Sequence, residues 1–128
     1  MARILVIEDA EDVRQLMVDL LEAMNHSVVE VADGLSGVKA ALTEHPDLIM
    51  LDLMMPDMDG WEVFRAMKAN PDIENIPVII LTARAQSIDK VLGLHIAKVQ
   101  DYLTKPFGQN ELITSIEKVL NAAKQNKN

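Results

Sequence analysis

The feature that most constrains this chain is a set of short runs that are apolar at every position. Residues 4–7 read Ile-Leu-Val-Ile, 48–51 Leu-Ile-Met-Leu and 78–81 Val-Ile-Ile-Leu. A strand that is apolar on both faces must be covered on both, the condition of a central strand in a parallel sheet. With these cores the predicted strands are 4–7, 27–31, 47–51, 77–81 and 100–103. Helix-period segments lie between them. Val13, Leu16, Met17, Leu20, Leu21 and Met24 form one stripe, as do Leu112, Ile113, Ile116, Val119, Leu120 and Ala123 near the end. Weaker helical patterns cover about 35–43, 60–69 and 86–96, and Asp33-Gly34, Asp59-Gly60, Asn70-Pro71 and Phe107-Gly108 supply turns.

Five strand–helix units in succession predict right-handed crossovers and helices on both faces of the sheet. The fold class is therefore α/β, a doubly wound five-stranded parallel sheet of the flavodoxin-like (βα)5 kind, with strand order 2-1-3-4-5. At 128 residues the chain suits one domain, expected over 1–122 with a polar tail at 123–128 and no output domain. The absence of cysteine excludes disulfides, Cys–Zn and Fe–S sites and thiol catalysis. The opening apolar run is too short for a signal peptide or membrane span, so the expected compartment is the cytoplasm. Charge is lopsided: residues 1–64 hold 14 acidic and 3 basic side chains, residues 65–128 hold 6 and 9. An acidic half suits a solvated face or a cation site and argues against direct nucleic-acid binding, which calls for a basic patch.

In sheets of this order, ligands bind beyond the carboxyl ends of the strands, at the switch point between strands 1 and 3. Strand 1 runs into Glu8 and Asp9, strand 3 into Asp52, strand 4 into Thr82 and strand 5 into Lys105-Pro106. Three carboxylates, a hydroxyl and an ammonium converge at one edge. Clustered carboxylates need compensation, and a hard divalent cation such as Mg²⁺, which takes oxygen ligands, provides it. A carboxylate beside Mg²⁺ and a lysine is equipped to attack a phosphoryl group.

At these residues the chain resembles the receiver domain of two-component response regulators. The matching pieces are Glu8-Asp9, Asp52 within Leu-Asp-Leu-Met-Met-Pro-Asp-Met-Asp-Gly, Thr82-Ala83, and Asp101-Tyr102-Leu103-Thr104-Lys105-Pro106-Phe107. They span roughly residues 2–122. The resemblance implies a cytoplasmic phosphoprotein in which Asp52 accepts a phosphoryl group from a histidine kinase or histidine phosphotransfer protein. Mg²⁺, with Mn²⁺ or Ca²⁺ as substitutes, would be held by Asp9, Asp52 and the Met54 carbonyl, with Glu8 acting mainly through water. Lys105 would pair with the phosphoryl group, Thr82 would hydrogen-bond it, and Tyr102 would turn inward behind Thr82. Met54 and Arg84 would tune the lifetime of the phosphoryl group, and the Lys105–Pro106 bond would be cis. The implied output is a stand-alone switch whose fourth helix (about 86–96), fifth strand and last helix are read by a partner protein, not a turnover enzyme.

Other readings are weaker. A phosphorelay shuttle, or a fragment of a longer regulator, would share these motifs. An aspartyl-phosphate phosphatase needs a second acid two residues after the nucleophile, where Met54 stands. Flavin binding lacks a phosphate-cradling loop after strand 1, and only Trp61 and Tyr102 are large flavin-stacking candidates. Asp57-Met58-Asp59-Gly60 fails as an EF-hand because its first and twelfth positions are Met55 and Ala66. His26, His45 and His95 form no pair at metal spacing. Met17, Met24 and Met50 read as core fillers, and Trp61 as packing at the start of the third helix. The chain departs from the family pattern at 97–100, Ala-Lys-Val-Gln, where a Gly-Ala pair is usual.

Overall fold

The computed structural model describes residues 1–56, 58–83 and 99–126. In chain order its elements are β1 (Arg3–Ile7), α1 (Glu11–Ala23), β2 (Ser27–Val31), α2 (Gly34–Glu44), β3 (Leu48–Asp52), β4 (Met54–Met55), β5 (Met58–Asp59), α3 (Gly60–Lys68), β6 (Val78–Thr82), β7 (Asp101–Thr104) and α4 (Gln109–Asn126). Five strands form one parallel sheet in the order β2-β1-β3-β6-β7, which is 2-1-3-4-5 when only those five are counted. β4 and β5 pair separately as a two-residue antiparallel hairpin that the sequence pattern did not suggest. The predicted helix at 86–96, Arg84, His95, Asp57 and the first half of the 97–100 segment lie outside the described residues.

Strand alternation sorts the core into two layers. Ile4 and Val6 of β1 point to the same side as Met50, Ile79 and Leu103, and α1 and α4 cover them with Met17, Leu21, Leu112, Ile116 and Val119. Leu5 and Ile7 point the other way, with Ile49, Leu51 and Ile80, under Ala41 of α2 and Val63, Phe64 and Met67 of α3. This is why the three runs are apolar throughout: each of their faces meets a helix.

Two local expectations shift. β3, β6 and β7 each start and end one residue later than periodicity predicted, so Asp52 and Thr82 are the last residues of their strands. The ladder carries Asp52 because Leu53 N–H still donates to the Leu81 carbonyl at 3.0 Å. A ladder bond uses only backbone groups, so a carboxylate side chain does not end it. In α1, Leu16 is 63% exposed and Val18 is buried instead. The buried face is centred between Met17 and Leu21, and at about 100° per residue Val18 lies about 80° from that centre and Leu16 about 120°.

Helix starts follow side-chain capping. Asp33 accepts from Ser36 N–H at 2.8 Å at the start of α2, and Asp59 accepts from Trp61 N–H at 2.9 Å at the start of α3. Trp61 stands edge-on to Phe64 with centroids 5.8 Å apart. α1 starts differently: its N-cap Ala10 has no capping side chain, and the acids just before it are used elsewhere.

Candidate functional site

The carboxyl edge of the sheet gathers the acidic residues. β1 delivers Glu8 and Asp9, and β3 ends in Asp52, so the parallel pairing of these two neighbouring strands brings the carboxylates together. One oxygen from each of Glu8, Asp9 and Asp52 lies within 4.8 Å of the others. Glu8 and Asp52 are buried, at 0% and 1% exposure, whereas Asp9 is more open.

Lys105 closes the cluster. Its backbone N–H donates to the Thr82 carbonyl at 2.8 Å, extending the β6–β7 ladder by one bond. Its Nζ is in direct ion-pair contact with Glu8 Oε1 and 3.3 Å from Asp52 Oδ2. The Lys105–Pro106 bond is cis, as the resemblance implied. The other carboxylate oxygens turn to the backbone: Glu8 Oε2 accepts from Ala10 N–H at 3.1 Å, and Asp52 Oδ1 from Met54 N–H at 2.9 Å.

One ammonium cannot balance three carboxylates. Burial pushes the Glu8 carboxyl up to about 7, against the opposing pull of Lys105 and the Ala10 N–H and with help from the neighbouring Asp52 charge. Burial pulls the Lys105 ammonium down, but Glu8 and Asp52 outweigh it and raise the group above its ordinary value. Glu8 Oε1 is buried against the Lys105 ammonium. A buried acceptor of that kind, in a set made entirely of hard oxygens, fits a divalent cation that keeps part of its water shell. Glu8, Asp9 and Asp52 are the side chains placed to hold it.

The other predicted residues fall around this core. Thr82 is buried at the end of β6. Tyr102 pairs with Ile80 in the β6–β7 register and packs, half-buried, into the layer under α2 and α3. Ile80 and Thr82 share a face, so Tyr102 sits on Thr82's side of the sheet one step back from the edge. The Met54 side chain is 49% exposed at the hairpin after Asp52. In the 97–100 segment, Val99 is buried and Gln100 clamps β6, its Oε1 accepting from Val78 N–H at 2.7 Å and its own N–H donating to the Val78 carbonyl at 3.0 Å.

Two contributors were not visible beforehand. Gly60 was read as half of a turn pair, yet a Cβ there would lie 2.4 Å from Leu53 Cα. Arg14 carried no motif, yet its guanidinium reaches the Glu8 and Asp9 carbonyls. Only its sequence distance from Glu8-Asp9, under two helical turns, could have hinted at this.

The chain matches the response regulator receiver domain family over residues 4–117, and it belongs to that family. It is 38% identical over 118 residues to the alkaline phosphatase synthesis transcriptional regulatory protein PhoP of Bacillus subtilis, covering 92% of this chain and 48% of that protein. It is 36% identical over 120 residues to the protein PilH of Pseudomonas aeruginosa, covering 94% of this chain and 98% of that one. The chain thus spans about half the length of PhoP and of several similar regulators, and nearly all of PilH. Among solved structures, the receiver domain of a sensor histidine kinase from Pseudomonas aeruginosa PAO1, with a magnesium ion coordinated in its active-site cleft, has a TM-score of 0.84 at 31% identity and covers 94% of this chain and 98% of its own. The chemotaxis response regulator CheY4 of Vibrio cholerae has a TM-score of 0.86 at 27% identity, covering 93% and 98%. No helix among the described residues is long and apolar enough to cross a membrane.

Proposed function

We propose that Asp52 accepts a phosphoryl group from the phosphohistidine of a histidine kinase or phosphotransfer protein, with Glu8, Asp9 and Asp52 holding a Mg²⁺ ion. The observation that carries this reading is the buried Asp52 carboxylate with Lys105 Nζ 3.3 Å away, inside a cluster of three carboxylates. An Asp52 oxygen bonds to phosphorus as the donor's P–N bond breaks. The electron pair returns to the imidazole nitrogen, and the ring leaves neutral with a proton on its other nitrogen. Mg²⁺, when bound, supplies charge neutralisation for the phosphoryl oxygens. Lys105 offers a second positive charge to them, and Thr82 a hydroxyl donor.

The acyl phosphate stays on the chain's own side chain, so the protein is a switch and not a turnover enzyme. A Thr82 hydroxyl drawn to the phosphoryl group leaves room for Tyr102, on the same side of the sheet, to turn inward. That shift changes the surface around β7 and α4 which a partner protein reads. Met54, apolar and half exposed two residues after Asp52, and Arg84, which has donors but no acceptor, are not suited to orient an attacking water and so favour a long-lived phosphoryl group.

The test is incubation of the chain with acetyl phosphate and Mg²⁺, read by intact mass. One phosphoryl group is expected on the wild type and none on Asp52→Asn. Full labelling of that variant, or undiminished labelling in the presence of EDTA, refutes the assignment.

A further inference from the structure

We propose that Arg14, anchored by Glu30, is a positioning residue for the metal-binding carboxylates; this rests on the cation reading above. Arg14 Nη1 donates to the Glu8 carbonyl at 2.9 Å and also approaches the Asp9 carbonyl at 3.5 Å. Its Nε donates to Glu30 Oε1 on β2 at 3.1 Å. The Arg14 side chain is 17% exposed and that of Glu30 42%.

The consequence is geometric. Glu8 N–H donates to the Val31 carbonyl at 3.1 Å, so the strand next to β1 already holds the residue from one side. Arg14, itself bonded to β2 through Glu30, holds the Glu8 carbonyl as well. With the Glu8 carbonyl bonded to Nη1 at 2.9 Å and the Asp9 carbonyl 3.5 Å from the same nitrogen, the Glu8–Asp9 peptide plane is restrained, and with it the directions in which the two side chains leave the chain. Glu30 is the neighbour of Val31, so the guanidinium is referenced to the same point of β2 that holds Glu8 N–H. Only a planar fork with several donors makes both connections; a lysine ammonium lacks that rigid fork. The Ala10 side chain does not cap α1, so the turn has two ties, the Arg14 guanidinium and the Ala10 N–H bond to Glu8 Oε2 at 3.1 Å. Partners that orient metal ligands commonly contribute tenfold or more to affinity.

The alternative role, simple charge balance, predicts the opposite sign. A cation beside a cation site repels Mg²⁺, so removing it should tighten binding. Positioning predicts that removing it weakens binding.

The experiment is calorimetric titration of Mg²⁺ into the metal-free full chain, comparing wild type with Arg14→Met, Arg14→Lys and Glu30→Gln. We expect about tenfold weaker binding for Arg14→Met and severalfold weaker binding for Arg14→Lys and Glu30→Gln. Acetyl phosphate labelling of these variants should recover towards the wild-type rate at saturating Mg²⁺, which a general structural defect would not allow. Should Arg14→Met fail to fold, Arg14→Lys and the partly exposed Glu30→Gln decide. Binding as tight as wild type, or tighter, in the folded variants overturns the inference. A wild type that binds no Mg²⁺ overturns the cation reading itself.

Discussion

Replacing Gly60 by alanine tests how closely α3 is set against the strand that ends in Asp52. The added Cβ would lie 2.4 Å from Leu53 Cα, 2.9 Å from the Asp52 carbonyl oxygen and 3.0 Å from the Leu53 carbonyl carbon. Carbon atoms pack best at about 3.5–4.0 Å, so a displacement of about 1 Å is forced. Every atom met is backbone, so no rotamer change relieves the clash. Either α3 moves out, straining the 3.2 Å bond from Gly60 N–H to the Leu53 carbonyl, or the end of β3 moves with Asp52. Overpacking costs about 1–3 kcal/mol and the weakened hydrogen bond about 1 kcal/mol, while alanine's better helix propensity returns up to about 1 kcal/mol. The expected net loss is about 2 kcal/mol. Gly37→Ala is the comparison, because the nearest atoms its Cβ would meet all belong to one side chain, Ile7, with Cδ1 at 2.5 Å and Cγ1 at 2.9 Å, and none to the backbone. Ile7 is buried and β-branched, so overpacking of about 1–3 kcal/mol less alanine's helix gain of up to about 1 kcal/mol leaves an expected cost of about 1 kcal/mol. Urea unfolding followed by circular dichroism reads both, with unchanged slopes required for the comparison. Labelling of Gly60→Ala by acetyl phosphate should slow by tenfold or more, since about 1 Å at a reacting group is costly. A Gly60→Ala protein within about 0.5 kcal/mol of wild type, or more stable than Gly37→Ala, refutes the close-approach argument.

Lys105→Met removes the cation that faces Glu8 and Asp52. Unfolding in EDTA at pH 7 should show a loss of about 1–3 kcal/mol, less than for a fully buried pair because Glu8 can take up a proton instead; unchanged stability would show that Lys105 does not compensate the cluster. Asp101 gives a pH signature. Burial pushes its carboxyl up, but Ser115 Oγ at 2.6 Å, Lys118 Nζ at 3.0 Å and the Tyr102 N–H at 2.9 Å outweigh that and hold it below the ordinary 3.8. A depressed carboxyl stabilises the fold above pH 3.8 and loses that contribution as pH falls through its folded value. Asp101→Asn should therefore cost about 1–2 kcal/mol at pH 7, with the gap to wild type narrowing in urea titrations near pH 3; a constant gap would count against it.

What could be read from the chain alone was whatever depends on neighbours a few residues apart. The apolar runs at 4–7, 48–51 and 78–81 can exist only as covered strands, and their alternation with helix periods sets the order of the sheet. Strand order then brings Glu8, Asp9, Asp52, Thr82 and Lys105 to one edge, because parallel strands all end on the same side. The first two strands end where the pattern placed them, at Ile7 and Val31, but β3 runs one residue further because side-chain pattern cannot see a backbone ladder that continues through Asp52. Leu16 was misplaced because which side of α1 meets the sheet depends on how the whole helix packs. The Arg14–Glu30 brace, the closeness of Gly60 to Leu53 and the tie of Asp101 to Ser115 and Lys118 existed only once the elements had docked. Periodicity and turn chemistry act along the chain, over one or two helical turns. A hydrogen bond or a steric contact between elements depends on register and separation to a fraction of an ångström, and packing alone decides those.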